Sequence, residues 1–145
     1  RIHSSVRTIP PDAFEDRHSL VNVEYQEGLE VIGMGAFFSC ERLQKQQFPS
    51  TLVEIGPHAF DGCHELQVVG SFPSSVKLIG EYAFSCCQKM QRFEIPINTC
   101  TLQNRVFGEC SSLTHVRLPQ GMVTIPSSLF SCCTSLVDIN APSSV

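Results

Sequence analysis

The residues best suited to chemistry in this 145-residue chain are its eight cysteines and five histidines. Thiols can form disulfides, bind zinc or act as nucleophiles. Five cysteines share one regular spacing: Cys40, Cys63, Cys87, Cys110 and Cys133. The other three are Cys86, Cys100 and Cys132. The sequence contains no C-x-x-C motif, so the most common spacing of a zinc site or a redox pair is missing.

The histidines form no recognisable catalytic motif. They are spread along the chain: His3, His18, His58, His64 and His115. His18, Glu41 and His64 share one position of a repeat and could bind a metal as a short column, although a solvated polar edge is the simpler interpretation. Motifs of serine hydrolases, phosphate-binding loops and zinc proteases are absent from the sequence. We therefore predict that this segment is not an enzyme and has no catalytic residue, metal site or cofactor.

A sequence repeat must position these side chains. Phenylalanine recurs at an almost constant interval: Phe14, Phe37, Phe60, Phe84, Phe107 and Phe130. The intervals are 23, 23, 24, 23 and 23 residues. A single globular core would not impose such a period, so the chain is predicted to be an array of about six stacked units.

Other apolar positions recur in step with the phenylalanines. Three residues later stands a cysteine, or Arg17 in the first unit. Six residues later stands a long apolar residue: Leu20, Leu43, Leu66, Met90, Leu113 and Leu136. Five residues earlier stands another: Ile9, Ile32, Ile55, Ile79, Leu102 and Ile125. Stacking the units would bury these columns in one continuous interior.

Each unit is expected to contain a short strand and a turn. The segment after the cysteine reads L-x-x-V-x-L in its best copies, such as residues 113–118, and this alternation predicts a strand with one buried face. The stretch around each phenylalanine is too short for a full helix and is expected to form a helical turn. The second and third strands should be the weakest, because Gln46 takes an inward position in one and Gly70 and Ser71 dilute the other.

In such a stack the five regularly spaced cysteines belong to the interior. Disulfides between neighbouring units are possible, because equivalent residues lie about 4.8 Å apart. Stacked side chains point the same way, however, and five thiols cannot all pair. We expect these thiols to be reduced and buried as small apolar side chains. Cys86, Cys100 and Cys132 are then the only thiols expected to be accessible, and their redox state is open.

The unit from Val76 to Cys87, continued through Ile95 and Pro96, closely resembles one repeat of the BspA-like leucine-rich repeat family. That family's unit reads approximately v-x-x-I-G-x-x-A-F-x-x-C-x-x-L-x-x-v-x-l-P, and the match covers essentially the whole chain. The resemblance implies a leucine-rich-repeat solenoid, a right-handed stack of short parallel β-strands with short helical turns. It also implies protein binding, since family members include cell-surface proteins that bind other proteins. Arg17 departs from the cysteine position, which suggests a less enclosed first repeat.

Charge and chain ends restrict the remaining functions. The net charge is −4 and the basic residues are dispersed, whereas a nucleic-acid surface would need a basic stripe. We expect neither nucleic-acid binding nor membrane insertion, because no amphipathic helix of useful length is evident. Neither end has an obvious polar cap, so residues 1–145 are expected to be one solenoid domain of a longer protein. Localisation at the cell surface or in the cytoplasm stays open.

The third and fifth residues of each L-x-x-V-x-L strand should point outward. The two outward columns contain Asn22, Lys45, Val68, Arg92, His115 and Asp138, and Glu24, Gln47, Gly70, Glu94, Arg117 and Asn140. Five of these residues form a mixed-charge patch that we predict to bind a protein partner: Arg92, Glu94, His115, Arg117 and Asp138. One alternative is that Glu94 and Arg117 merely neutralise each other on a solvated sheet. Another is that the chain is a rigid spacer for functional domains elsewhere in the parent protein.

Overall fold

The computed structural model describes residues 1–70, 72–95, 101–119, 122 and 124–140. The predictions that concern Ser71, Pro96 and Cys100 fall outside this part of the chain. Ten short parallel strands follow one another: β1 (Thr8–Ile9), β2 (Val31–Ile32), β3 (Lys45–Gln46), β4 (Glu54–Ile55), β5 (Gln67–Val68), β6 (Leu78–Ile79), β7 (Arg92–Glu94), β8 (Thr101–Leu102), β9 (His115–Arg117) and β10 (Asp138–Asn140).

Five strands form one uninterrupted sheet, in the order β1-β2-β4-β6-β8, which we call the continuous sheet. Each strand contributes two residues, and the second points inward and is buried: Ile9, Ile32, Ile55, Ile79 and Leu102. The sequence analysis correctly placed these five residues in the core, but its assignment of Ile125 to the same buried column is wrong, because Ile125 lies in the last repeat and is 42% exposed. It did not predict a second sheet, because two residues are too few to show a strand period.

The L-x-x-V-x-L segments form the split sheet, which consists of β3, β5, β7, β9 and β10. In the described residues it has two parts, a pair of β3 and β5 and a three-stranded part in the order β10-β9-β7, with no pairing between β5 and β7. This break falls in the one long interval, between Phe60 and Phe84. The strands of the second and third repeats have two residues rather than three, so they are weaker than those of the later repeats. They are not the weakest, as predicted, because the corresponding segment of the first repeat, 21–25, is not a strand.

The weak part of the split sheet also corrects one predicted column. Lys45 pairs with Gln67 and Gln46 with Val68, one residue out of step with the prediction. Val68 therefore lies opposite a buried residue, is itself half-buried and packs against the core, so its outward assignment is wrong. Gln46 is fully buried as predicted; its Nε2 donates to the Lys45 carbonyl at 2.9 Å, while its Oε1 has no hydrogen-bond partner. An unpartnered buried oxygen weakens this part of the fold.

A column of stacked phenylalanine rings runs through the core. The ring centroids of successive members from Phe14 to Phe130 lie 5.1, 5.2, 5.4, 5.9 and 5.9 Å apart, and no two neighbouring planes differ by more than 14°. A second set of rings packs against this column at steeper angles: Tyr25, Phe48, Phe72 and Phe93. The four inner phenylalanines are fully buried, whereas Phe14 and Phe130 are half-buried. The first repeat is less enclosed, as the sequence predicted.

The segment around each phenylalanine consists of turns, and no helix is found among the described residues. Two residues in every repeat, two positions before and two after the phenylalanine, have a positive φ between 53° and 76°. Ten of these twelve residues are not glycine: Asp12, Asp16, Ser39, His58, Tyr82, Cys86, Arg105, Glu109, Ser128 and Cys132. The predicted helical turn is thus wrong in detail, because a run of helical φ angles would not return the chain within this length.

Backbone contacts between repeats fix the turns. The Phe60 N–H donates to the Ala83 carbonyl at 2.9 Å, and the same bond recurs from one repeat to the next. Close approach also explains the glycine that follows the inward isoleucine in repeats two to four. A Cβ added to Gly80 would lie 2.4 Å from the Pro57 nitrogen, and one added to Gly56 would lie 2.7 Å from the Met34 nitrogen. Any side chain there would push adjacent repeats apart.

Candidate functional site

The structure brings the five predicted partner-binding residues together on three adjacent strands. Arg92 on β7, His115 on β9 and Asp138 on β10 are directly opposite one another in the sheet. Glu94 and Arg117 are likewise paired in register. All five side chains are exposed. This arrangement follows from the alternation of the strands, since the intervening Phe93 and Val116 point inward and are buried.

The five side chains line one shallow depression of about 340 Å³. The remaining lining residues are Val68, Gly70, Phe93, Val116 and Asn140. Since Val68 belongs to β5 and Phe93 to β7, the depression spans the break in the split sheet. One edge of β7 therefore has no strand partner among the described residues. The depression thus lies where the split sheet is interrupted, near the extra residue of the third repeat.

The charges within this depression are arranged in two rows that behave differently. The paired row contains Glu94 and Arg117: the Arg117 Nη1 lies 3.1 Å from the Glu94 Oε1, and both side chains are more than 60% exposed. This contact is the mutual neutralisation considered as an alternative, and it applies to this pair only. The open row contains Arg92, His115 and Asp138. Within the described residues, neither Arg92 nor Asp138 forms an ion pair, and His115 Nδ1 is hydrogen-bonded to the neighbouring Thr114 hydroxyl at 2.9 Å.

The regularly spaced cysteines have a hydrogen-bonding role that the sequence analysis missed. Each thiol donates to the backbone carbonyl of the phenylalanine in the preceding repeat, with Sγ–O distances from 3.0 to 3.4 Å. Cys110 Sγ, for example, lies 3.1 Å from the Phe84 oxygen. A thiol is apolar enough for the core and still satisfies a buried carbonyl. The sequence carries no signal for this contact, because the acceptor is a backbone carbonyl.

Burial makes these thiols unreactive. It is the main cause that raises the pKa of Cys63, Cys87 and Cys110, and interactions with neighbouring thiols raise it further. The neutral thiol is the weaker nucleophile, so the environment opposes catalysis and metal binding. Cys40, Cys63, Cys87 and Cys110 are buried, which confirms the packing prediction for them, whereas Cys133 is only half-buried. All seven cysteines of the described part are free thiols.

Two less regular cysteines lie at turn positions with a positive φ. Cys132 is exposed and Cys86 is half-buried, in agreement with the prediction that they are the accessible thiols of the described chain. Cys86 Sγ lies 3.7 Å from the Glu109 Oε2, and burial raises its pKa. The acidic neighbour of Cys86 does not favour its thiolate.

The histidines contact neighbours in the turns. His18 Nδ1 lies 3.7 Å from the Glu41 Oε1, but in the described part of the chain no three His, Cys, Asp or Glu side chains converge on a possible metal position. His58 Nδ1 is 2.9 Å from the Asp61 Oδ2, and its ring stacks on Tyr82 at 4.8 Å. Arg105 covers the Tyr82 ring at 5.6 Å and hydrogen-bonds its hydroxyl at 2.6 Å. His58, Tyr82 and Arg105 stand two positions before the phenylalanines of successive repeats, on the side of the solenoid formed by the turns, which we call the turn edge. The described residues include no helix that is long and apolar enough to cross a membrane.

Comparison with known proteins identifies relatives of this architecture. A family model described as "BspA type Leucine rich repeat region" matches in six copies, over residues 1–70 and 36–145. The crystal structure of a Treponema pallidum leucine-rich repeat protein is 33% identical, with a TM-score of 0.89 over 94% of this chain and 64% of that one. A leucine-rich repeat protein from Bacteroides ovatus is 29% identical, with a TM-score of 0.82 over 91% of this chain and 34% of that one.

A third match supports the fold alone. A leucine-rich cell surface protein from Faecalibacterium prausnitzii is 21% identical, with a TM-score of 0.56 over 94% of this chain and 52% of that one. No curated protein matches the sequence significantly. The chain thus spans 64% and 34% of the lengths of the first two structural relatives.

Proposed function

This chain belongs to the BspA type leucine-rich repeat family, and on that premise we propose that it is a non-enzymatic module for protein–protein interaction or adhesion. The family and fold are generally non-enzymatic. The proposed partner is a protein that binds residues 1–145; cell-surface and cytoplasmic localisation are both compatible with such a module. The binding surface that we assign is the depression lined by Arg92, Glu94, His115, Arg117 and Asp138.

The observation that carries this proposal is the concentration of exposed, chemically varied side chains on rigid strands. Phe93 and Val116 anchor β7 and β9 from below, so the outward residues need little ordering when a partner binds. Arginine is frequent at binding hot spots because its planar fork both hydrogen-bonds and stacks. On the turn edge, by contrast, the Tyr82 ring is engaged by His58 and Arg105.

The test is site-specific photocrosslinking with the 145-residue domain. A photoreactive amino acid replaces His115 in one variant and Glu109, which is exposed on the turn edge, in a matched control. We expect a partner to be crosslinked through position 115 and not through position 109. Crosslinking through position 109 alone would move recognition to the turn edge and contradict the assignment.

Alanine variants then measure the contribution of the arginines. Arg92→Ala and Arg117→Ala should weaken binding of the crosslinked partner while leaving the melting temperature nearly unchanged, because both side chains are exposed. A hot-spot residue should cost at least ~2 kcal/mol of binding free energy, whereas a peripheral charge changes mainly the association rate and its salt dependence. Calorimetry and stopped-flow kinetics at two salt concentrations separate these outcomes.

A rigid structural spacer is the second candidate. The continuous sheet and the unbroken column of phenylalanine rings favour it, because both stiffen the stack along its axis. A spacer needs neither the paired row nor the open row. Absence of a crosslinked partner at positions 115 and 109 alike would support the spacer over the interaction module.

A further inference from the structure

The open row carries opposite charges at its two ends. Arg92 and Asp138 flank His115 in one register line across β7, β9 and β10. Neighbouring strands lie about 4.8 Å apart, so the positive and negative ends are separated by roughly 10 Å. Neither end is neutralised by an ion pair among the described residues, whereas the neighbouring Glu94 and Arg117 neutralise each other at 3.1 Å.

We propose that the open row recognises an extended segment of a partner protein that crosses the strands, with a carboxylate over Arg92 and a basic side chain over Asp138. This inference rests on the proposed function and specifies the partner's chemistry at the same surface. The argument is charge complementarity: an exposed guanidinium and an exposed carboxylate at a fixed separation favour a partner with the opposite charges at the same separation. The paired row lacks this preference because its charges are already matched.

The separation also selects a backbone conformation. A polyproline II segment has three residues per turn and rises about 3.1 Å per residue, so residues i and i+3 face the same side roughly 9 Å apart. An acidic and a basic residue at this spacing would reach both ends of the row. A β-strand would place residues i and i+3 on opposite faces. The partner segment is therefore of the type E-x-x-K, in either chain direction, with proline favoured between the charges.

The experiment titrates four synthetic proline-containing peptides of equal length into the ¹⁵N-labelled domain. They carry E-x-x-K, E-x-x-E, K-x-x-K or Q-x-x-Q, and the amide signals of β7, β9 and β10 report binding. At low ionic strength we expect E-x-x-K to bind about fivefold more tightly than the three others, with the preference lost in high salt. Equal affinities for the four peptides would overturn the inference.

Charge variants of the domain make the test specific. Asp138→Arg turns the row into two cations and should switch the preference to E-x-x-E, whereas Arg92→Asp should switch it to K-x-x-K. Glu109→Arg on the turn edge changes the net charge by the same amount as Asp138→Arg and should leave the preference for E-x-x-K unchanged. A switch in the Glu109 variant would show that overall charge rather than the row determines binding, and the absence of a switch in the Asp138 variant would show that the row does not select the peptide.

The remaining outcomes separate this inference from the proposed function. If position 115 crosslinks a partner but no peptide shifts the β7, β9 and β10 signals, the charge-row inference is wrong and the interaction module stands. If neither occurs, both are wrong. Sedimentation of the wild-type domain as a dimer that Asp138→Arg dissociates would assign the row to a second copy of this chain and likewise overturn the inference.

Discussion

The continuous sheet and the split sheet respond differently to one extra residue. The long interval separates Phe60 from Phe84, yet Ile55 and Ile79 pair directly in the continuous sheet, and the Gly80 N–H donates to the Ile55 carbonyl at 2.8 Å. The added residue is instead absorbed after β5, where the split sheet loses its ladder. One side of the solenoid thus maintains the stack, and the other side tolerates irregularity and carries the varied outward residues. Four predictions test this division.

The largest expected effect is alkaline destabilisation through the buried thiols next to the phenylalanine column. Burial raises the pKa of Cys63, Cys87 and Cys110 in the folded state, so their stabilising effect is complete below the unfolded pKa and is lost as pH rises above it. Above about pH 9 each of these three thiols should cost about 1.4 kcal/mol per pH unit, which together is on the order of 4 kcal/mol per pH unit. Urea unfolding between pH 8 and 10.5 measures this slope.

A double variant isolates the thiol contribution to that slope. Cys87→Ala with Cys110→Ala should reduce the pH dependence by about two thirds, because two of the three thiols with strongly raised pKa values are removed. An unchanged slope would mean that other groups, such as the buried Tyr25, determine the alkaline transition. In the wild type at neutral pH, a thiol reagent should modify Cys132 rapidly and Cys63, Cys87 and Cys110 only upon unfolding.

The next effect concerns the ring column, which lies beneath both sheets. Phe84→Ala should lower the free energy of unfolding by about 3–5 kcal/mol, because it removes a fully buried ring stacked on both sides. Phe14→Ala should cost clearly less, since that ring is half-buried and stacks on Phe37 only among the members of the column. Equal losses in urea unfolding of the two variants would argue against a linear stack.

A pair of glycine substitutions compares the two sheets directly. Gly80→Asn, next to the continuous sheet, should lower the free energy of unfolding by about 1–3 kcal/mol, because its Cβ would overlap the Pro57 backbone. Gly70→Asn, next to the split sheet, should lower it by at most about 1 kcal/mol, which is the backbone strain of a side chain at a positive φ. No atom lies within 4 Å of a Cβ at Gly70, and asparagine tolerates its φ of +78°. Thermal or urea unfolding of both variants checks the contrast, and similar losses would abolish the distinction between the two sides.

The smallest effect concerns the outward residues of the split sheet. Arg117→Ala should lower stability by at most ~1 kcal/mol, because its ion pair with Glu94 is solvent-exposed. Arg92→Ala should have even less effect, since Arg92 has no ion pair among the described residues. Differential scanning calorimetry measures both. A loss above ~2 kcal/mol for either would give the surface a structural role and weaken the case for recognition.

The sequence predicted the interior well because every repeat contributes the same evidence. Phe, Cys, Leu and Ile columns recur in phase, and the structure buries their members in repeats two to five together. Members in the end repeats are less buried, and Ile125 is exposed. Alternation around Phe93 and Val116 was sufficient to place Arg92 and Arg117 on the surface. The same alternation could not show that these residues bind a partner, because exposure alone does not distinguish an interface from a solvated sheet.

The features that the sequence did not reveal depend on contacts between repeats. The continuous sheet consists of two-residue strands, too short for any period. The shift that pairs Gln46 with Val68 depends on where the extra residue is accommodated. The thiol–carbonyl bonds join a side chain to the backbone, and every residue has a backbone carbonyl, so the sequence does not indicate which one accepts the bond. The conformation of the turns could not be predicted, because it depends on a positive φ at residues such as Tyr82 and Arg105, whose types are not typical of the left-handed region.

These left-handed residues make folding a collective process. Each non-glycine residue in this conformation costs about 1–2 kcal/mol, so a turn containing two of them is unfavourable in isolation. Hydrogen bonds to the repeats on either side offset that cost, and a single repeat lacks them. Ordering must therefore pass from neighbour to neighbour, as in a one-dimensional cooperative lattice. Its correlation length, rather than the stability of any one unit, sets the smallest fragment of this chain that can fold.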